Sequence, residues 1–316
     1  HWVSNGAYTL AHWQPEAFIE MHSNPHFVDS VAIQRARYLP FANEQAAYNR
    51  YRNGELHAIA SFPANELARV EKNHAASLRQ SPLLSMMYLV FNTRRPPFDD
   101  VRVRTALASV VDQKLLADKV LRSGARAAKT FTPEMITAYQ APPMDHSHTP
   151  SDLIERAKRL LAEAGYDAKR PLRITLRHVS GNEEKRVNLA VAGMWRQLGV
   201  QTQLQQGTMN AHFADLRQGD FDVAWAGWIG ESNAEHYLGL LASDVGDVNY
   251  GAYHSAEFDQ LIQQARTHAD VQTRNNFLQQ AEAVALREAP VVPLYSLASR
   301  RLVNPRLGGW YENPRD

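Results

Sequence analysis

The sequence predicts a mixed α/β fold in which part of the sheet is parallel. The clearest sign is a strand–helix–strand unit, in which strands at 172–179 and 200–205 flank a helix with Val187, Val191 and Trp195 on one face. Two strands joined by such a helix pair in parallel, with a right-handed crossover. A second sign is the alternation of apolar and polar residues before residue 40, which is typical of β-strands.

The other elements follow from caps and apolar runs. Asn43 is a suitable N-cap for a short helix that runs to Tyr51, and 86–91 is an apolar run typical of a buried strand. Thr149 and Pro150 begin a further helix. More helices are expected after Pro63, after Asp99 or Asp100, at 255–268 and at 271–287, and more strands at 8–10, 18–21, 32–39, 221–228 and 291–295. The proline-punctuated segment 123–148 is expected to be irregular.

Composition and charge exclude several classes of protein. The 316 residues are 44% hydrophobic and 21% charged, which is ordinary for a globular chain of two lobes or one large domain. Lys and Arg total 34 against 33 acidic residues, and a net charge of +1 does not indicate a nucleic-acid partner. The basic residues Arg35, Arg37, Arg300 and Arg301 are interpreted as solvated surface.

The chain has no cysteine, which excludes disulfides, thiolate metal sites and cysteine nucleophiles and suits an oxidising compartment. No apolar run approaches the roughly 20 residues that span a membrane, so a membrane-spanning protein is not expected. The start at His1 is neither an initiator methionine nor a signal peptide. We interpret the chain as cut or processed at its front.

The motifs of common enzyme classes are missing. The sequence contains no G-x-S-x-G, Walker A, G-x-G-x-x-G or H-E-x-x-H pattern, so we expect neither an enzyme nor a cofactor. His22 and His26 are separated by a proline and are interpreted as a surface turn. His146 and His148 are candidate metal ligands, but a solvated loop is the preferred interpretation.

The segment from Trp225 to Glu231 stands out, because a strand with two tryptophans ends in small residues and then a carboxylate. Glycines such as Gly227 leave backbone N–H and C=O groups uncovered, so an extended ligand can bind as an added strand. Glu231 is then placed to bind a free α-ammonium group. The alternative, which spacing alone favours, is a core strand followed by an ordinary loop acid.

Five groups of residues together resemble the periplasmic oligopeptide-binding family, which includes the murein-tripeptide-binding relatives. The groups are 5–8 (NGAY), 96–102 (PPFDDVR), 162–166 (AEAGY), 221–228 (FDVAWAGW), and Tyr253 with Phe258 and Asp259. They occur in order and with compatible spacing over essentially the whole chain.

The resemblance implies the two-lobed fold of type II periplasmic binding proteins, incomplete at the N-terminus because family members are longer there. It implies part of lobe I at 1–86, lobe II at 87–295 and a return into lobe I at 296–316. The missing front would supply one of the strands that hold the peptide backbone.

The resemblance also implies a set of ligand-binding residues. Gly227 and its neighbour Trp228 correspond to the strand that pairs with the peptide, and Glu231 lies where the family has an aspartate for the peptide amine. Arg217 is expected to bind the ligand's carboxylate. The remaining expected contacts are Ser61, Phe62, Tyr88 and Trp225.

Two residues depart from the family pattern. Trp225 stands where the oligopeptide-binding relative has an arginine, and Val90 replaces a carboxylate. An indole offers an apolar wall and a ring face for a cation, so we predict a preference for short peptides with hydrophobic or basic side chains. The alternative is that Trp225 points into the core of lobe II, since Trp228 cannot share its face.

A member of this family is expected to capture peptides between its lobes and to pass them to the permease subunits of an ABC transporter. It is expected to do so as a monomer, in the periplasm or otherwise outside the cytoplasm. Two alternatives stay open. One is a receptor for a non-peptide ligand such as a murein fragment, haem, a metal chelate or a sugar, and the other is the ligand-sensing domain of a transcription regulator.

Overall fold

A computed structural model of the chain describes residues 4–143, 147–311 and 313. Its strands are β1 (Tyr8–Gln14), β2 (Phe18–Ser23), β3 (Arg35–Tyr38), β4 (Ala58–Ile59), β5 (Leu78–Pro82), β6 (Ser85–Phe91), β7 (Arg126–Ala127), β8 (Arg173–Val179), β9 (Gln201–Gly207), β10 (Val223–Ile229), β11 (Val291–Ser296) and β12 (Ala298–Val303). Its α-helices are α1 (Glu44–Arg52), α2 (Leu67–Asn73), α3 (Val101–Ser109), α4 (Gln113–Leu115), α5 (Pro150–Glu163), α6 (Asn182–Arg196), α7 (Met209–Gln218), α8 (Glu235–Leu238), α9 (Ala256–Thr267) and α10 (Val271–Glu288). Short 3₁₀ helices cover Ala64–Glu66, Gly239–Leu241 and Gly246–Val248, and a π-helix covers Leu116–Leu121.

The largest sheet among the described residues has the strand order β7–β11–β6–β10–β8–β9. β8 pairs in parallel with β9 and with β10, whereas β6, β11 and β7 run antiparallel to their neighbours. α6 connects β8 to β9. The mixed α/β fold class and the strand–helix–strand unit predicted from 172–205 are therefore confirmed.

Both faces of this sheet are buried. All residues of β6, in the middle of the sheet, are buried, which explains the continuous apolar run of this strand. Tyr88 and Val90 belong to one core, which α9 and α10 cover. Leu89 and Phe91 belong to the other core, under α3, α5 and α6, because successive side chains of a strand point to opposite faces.

Capping explains where the predicted helices begin and end. The side chain of Asn43 accepts a hydrogen bond from Ala46 N–H, and Thr149 forms a capping box with Asp152. Each such cap stabilises its helix by about 1 kcal/mol. Gly199 has a φ of +81° in the turn after α6, a conformation that favours glycine.

Three elements, α7, β5 and β12, were not predicted from the sequence. α7 lies between the capping side chain of Thr208 and the left-handed Gly219. The interpretation of Arg300 and Arg301 as solvated surface is wrong, because β12 lies between β4 and β5 and both side chains are covered. The Arg300 side chain is only 12% exposed.

Two smaller antiparallel sheets have the strand orders β1–β2–β3 and β4–β12–β5. The second borders a small core around Tyr48, Phe62 and Leu302. The chain leaves the large sheet at the end of β11, and β12 begins two residues later in the smaller sheet. The division into lobes after residues 86 and 295 stays a prediction.

We expect amide hydrogen exchange to be slow in α6, β8 and β9 and fast in β1, β2 and β3 of this chain. The front strands bury little apolar surface, since Trp13 is 61% and Tyr38 is 60% exposed, and little therefore opposes their local opening. Exchange monitored by mass spectrometry measures the difference, with the denatured chain as the reference. Equal protection in both regions would contradict the expectation.

Candidate functional site

The candidate site is an open edge at the carboxyl end of β10. β10 pairs with β6 along its whole length, from Val223 opposite Phe91 to Ile229 opposite Ser85. On its other side it pairs with β8 only at Val223 and Ala224. Beyond Ala224 the two strands diverge, so this edge of β10 has no neighbouring strand in the part of the chain that the structure describes.

Hydrogen bonds show which backbone groups face the opening. The N–H of Gly230 donates to a carbonyl of the segment before β6 at 2.8 Å. The C=O of Trp225 lies on the other side and accepts from the His212 ring at 2.7 Å. Backbone groups of successive strand residues face opposite edges, so the N–H and C=O groups of Gly227 and Ile229 face the opening together with those of Trp225.

His212 determines where the opening begins. This residue of α7 is buried, and burial lowers its pKa, so the ring is neutral at neutral pH. The proton resides on Nε2, the atom that donates to the Trp225 carbonyl. The helix that the sequence analysis missed thus supplies the partner for the last carbonyl before Gly227.

Glycine is required at two positions along this edge, because neighbouring groups occupy the space that a side chain would need. A Cβ at Gly227 would lie 2.6 Å from the Met87 sulfur, and one at Gly230 would lie 2.7 Å from the Tyr237 ring. Neither position accepts a side chain unless its neighbour moves. An extended ligand can therefore approach the backbone closely.

A cavity of about 570 Å³ lies beside the edge, on the Trp228 side. Its lining includes Glu231, Glu235, His236 and Arg266. The N–H of Glu231 donates to Nδ1 of His236 at 2.8 Å, and the His236 ring packs edge-on against Trp228 with 5.7 Å between centroids. These contacts hold the loop that carries the Glu231 carboxylate next to the strand end.

The structure brings Gly227 and Glu231 together but separates Arg217 from them. Arg217 is exposed in the last turn of α7. The carbonyl of Gly219, just beyond that turn, accepts from the side chain of Asn92, which follows β6. Arg217 therefore lies toward the opposite end of β10, and its expected role as a carboxylate partner stays a prediction that this placement does not support.

Two other expected ligand contacts are buried. Tyr88 is 3% exposed and packs edge-on against Phe131, with 5.0 Å between ring centroids, and burial raises its pKa. Trp225 is 7% exposed and belongs to the core under α6, and its expected role in ligand binding stays a prediction. The six-membered ring of its indole comes within 3.7 Å of the position that a Cβ of Gly227 would occupy, so the ring lies beside Gly227 on this face of the sheet.

Ser61 and Phe62 follow β4 in the smaller sheet. Phe62 is fully buried, and its carbonyl accepts from Nε of Arg300 at 3.4 Å. The same guanidinium lies 3.9 Å from the Glu183 carboxylate at the start of α6. Arg300 therefore links the segment of Ser61 and Phe62 to the start of α6, a role that no local sequence pattern indicates.

No group of three or more His, Cys, Asp or Glu side chains within residues 4–143, 147–311 and 313 is arranged to hold a metal ion. His22 and His26 are both exposed, but only His26 lies in the expected turn, because His22 belongs to β2, where its ring lies 3.1 Å from Glu20 Oε1. His146 lies outside the described residues. No helix in the described ranges is long and apolar enough to cross a membrane.

Comparison with known proteins identifies the family. The model of the bacterial extracellular solute-binding proteins, family 5 Middle, matches residues 1–247. The chain belongs to this family. The resemblance to periplasmic oligopeptide-binding proteins is thereby confirmed.

Three relatives show how far the similarity extends. The chain is 36% identical to the probable deoxycholate-binding periplasmic protein YgiS of Escherichia coli strain K12, over 99% of the chain and 59% of that protein. It is 32% identical to the Escherichia coli murein tripeptide binding protein MppA, with a TM-score of 0.85 over 98% of the chain and 62% of that structure. It is 27% identical to Haemophilus influenzae OppA in complex with RPPGFSPFR, with a TM-score of 0.82 over 98% of the chain and 62% of that structure. The chain has the family's fold and spans less than two thirds of each relative.

We expect Gly227→Ala to destabilise the protein by about 1–3 kcal/mol, because the added methyl group forces Met87 to move. Gly193→Ala is the matched control, since a Cβ there meets nothing within 4 Å and the helical site gains about 0.5–1 kcal/mol. Urea unfolding measures both changes. If Gly227→Ala is as stable as the parent, the close packing beneath the edge is not a constraint.

Proposed function

We propose that the full-length protein captures short peptides between two lobes and passes them to an ABC importer. The observation that carries this proposal is the open edge at Gly227 and Ile229, followed by the carboxylate of Glu231. A peptide in extended conformation pairs with such an edge through its backbone, which gives affinity without a fixed sequence. A carboxylate next to that edge binds a free α-amine by charge-assisted hydrogen bonds.

The spacing of the site supports a short ligand. The segment from Gly227 to Glu231 is about 13 Å long at 3.3 Å per residue. With the amine at Glu231, this length accommodates about three to four ligand residues before the position where His212 already occupies the carbonyl of Trp225. Longer ligands have to leave the edge at that point.

The relatives support the cellular role. MppA is a murein tripeptide binding protein and OppA a periplasmic oligopeptide-binding protein, and both are binding proteins rather than enzymes by name. We extend this to the present chain as a monomeric periplasmic receptor without catalytic activity, whose partners are permease subunits. Closure of the two lobes over the peptide then completes the second wall of the site.

A non-peptide ligand is the main competing proposal, because YgiS is named as probably binding deoxycholate. A sterol acid carries neither an amine for Glu231 nor a backbone for the open edge of β10. The geometry therefore favours a peptide, and deoxycholate serves as the comparison ligand. A role as the sensing domain of a transcription regulator finds no support among the relatives described above.

We expect Glu231→Gln to weaken the binding of free-amine tripeptides by about 1.5–3 kcal/mol, tenfold or more, because it removes the charge that pairs with the ammonium group. Calorimetry on the full-length protein measures the change. Glu155→Gln, an exposed acid on α5, is the matched control and should bind as the parent does.

Acetylation of the peptide amine provides the reciprocal test. It should weaken binding to the parent and have little further effect on the Glu231→Gln variant. Equal affinity of acetylated and free peptides for the parent contradicts the role of Glu231, and tight binding of deoxycholate with no binding of peptides contradicts the proposed function.

A further inference from the structure

The sheet face that carries Trp225 has additional features at the level of Gly227, on the side of β10 toward β6 and β11. Tyr295 of β11, Met87 of β6 and Gly227 of β10 lie opposite one another in register. Directly opposed residues of neighbouring strands share a face, so Tyr295 and Trp225 flank Met87 on one face. A ligand residue that pairs opposite Gly227 directs its side chain to this face as well.

Two carboxylates lie close to this place. α6 begins directly after β8, and its first turn carries Glu183 and Glu184. Because β8 and β10 run parallel, their carboxyl ends lie at the same end of the sheet. Burial raises the pKa of the Tyr295 hydroxyl, and the charges of Glu184 and Glu183 raise it further. Both carboxylates are thus within electrostatic reach of Tyr295.

Arg300 provides only a shared positive charge to these acids. Arg300 lies 3.9 Å from Glu183 and also 3.9 Å from Glu44, so one guanidinium is shared between two carboxylates at long distance. Burial raises the pKa of Glu183, while Arg300 and Arg186 lower it and Glu184 and Glu44 raise it. The partial charge of about +0.5 at the start of α6 offsets only part of the remaining negative charge.

The indole of Trp225 is an independent sign that a ligand group belongs here. Its N–H is buried and has no hydrogen-bond acceptor within the described part of the chain. It lies beside the Tyr295 hydroxyl and lowers the pKa of that group, although the two do not form a hydrogen bond of normal geometry. A buried donor without an acceptor is unfavourable, and an acceptor brought by a ligand removes this cost.

We propose that Trp225, Tyr295, Glu183 and Glu184 form a subsite for a ligand residue with a positively charged side chain, an amine or a guanidinium. A neutral carbonyl group of the same ligand residue accepts the hydrogen bond of the Trp225 indole. The inference rests on the proposed peptide-binding function and adds that the third ligand residue carries a positive charge. A ligand carboxylate at this place is repelled by the negative charges of Glu183 and Glu184. A C-terminal amide supplies an acceptor for the indole without adding a negative charge.

The test compares four tripeptides on the full-length protein by calorimetry: Ala-Ala-Lys and Ala-Ala-norleucine, each as the amide and as the free acid. The lysine amide should bind about tenfold more tightly than the norleucine amide, as expected for one charge-assisted contact. In the double variant Glu183→Gln/Glu184→Gln this preference should fall below about threefold. Glu155→Gln is the control and should keep the preference.

Three outcomes overturn the subsite. They are equal affinity of lysine and norleucine peptides for the parent, a lysine preference that survives in the double variant, and tighter binding of free acids that is lost in Arg300→Met. The last result would assign ligand recognition to Arg300 and a carboxylate. The peptide comparison on the parent decides the question even if the double variant does not fold. Failure of the proposed function differs from all three, because then none of the four peptides binds.

Discussion

The backbone of β10 has hydrogen-bonding groups on both edges, but beyond Ala224 only the edge toward β6 is paired with a strand among the described residues. Backbone N–H and C=O groups require partners, so the other edge has to be solvated, capped or paired. His212 caps the carbonyl of Trp225, and the next groups, on Gly227 and Ile229, are left for water or for a ligand. The divergence of β8 from β10 therefore creates the site, and α7 determines its length.

The packing beneath the edge keeps it in this form. Met87 fills the space where a side chain of Gly227 would lie, and the Tyr237 ring does the same at Gly230. Both neighbours are buried, Met87 on a strand and Tyr237 on α8, so the edge is supported by the cores on the two faces of the sheet. A ligand strand then binds to a preformed surface, and little of its binding energy is lost in ordering the protein.

Much of this fold follows from local sequence. The apolar run of β6, the periodicity of α6 and the segment before Glu231 each give a strong local signal, and the two strands and the helix predicted from them are present. The ligand-binding role of Glu231 stays a prediction. α7 was missed although its signal is present, since Met209, Phe213 and Leu216 recur at helical spacing between the Thr208 cap and Gly219. The burial of Arg300 was missed because its partner Phe62 is 238 residues away in sequence, which no short window can indicate. Alternation predicted that Trp225 and Trp228 face opposite ways, but only the packing of helices on both faces determines that Trp225 is buried whereas Trp228 lines a cavity.

Carboxylates follow the carboxyl ends of both parallel strands beside the opening. Glu231 follows β10, and Glu183 and Glu184 lie in the first turn of α6, which follows β8, in a chain whose net charge is only +1. A ligand with a cation at each end is therefore more complementary to the edge than one with an amine and a carboxylate. Such complementarity contributes mainly to specificity, since each charge pair has to offset its own desolvation. Arg300, covered and already shared between Glu183 and Glu44, is poorly placed to reverse this preference.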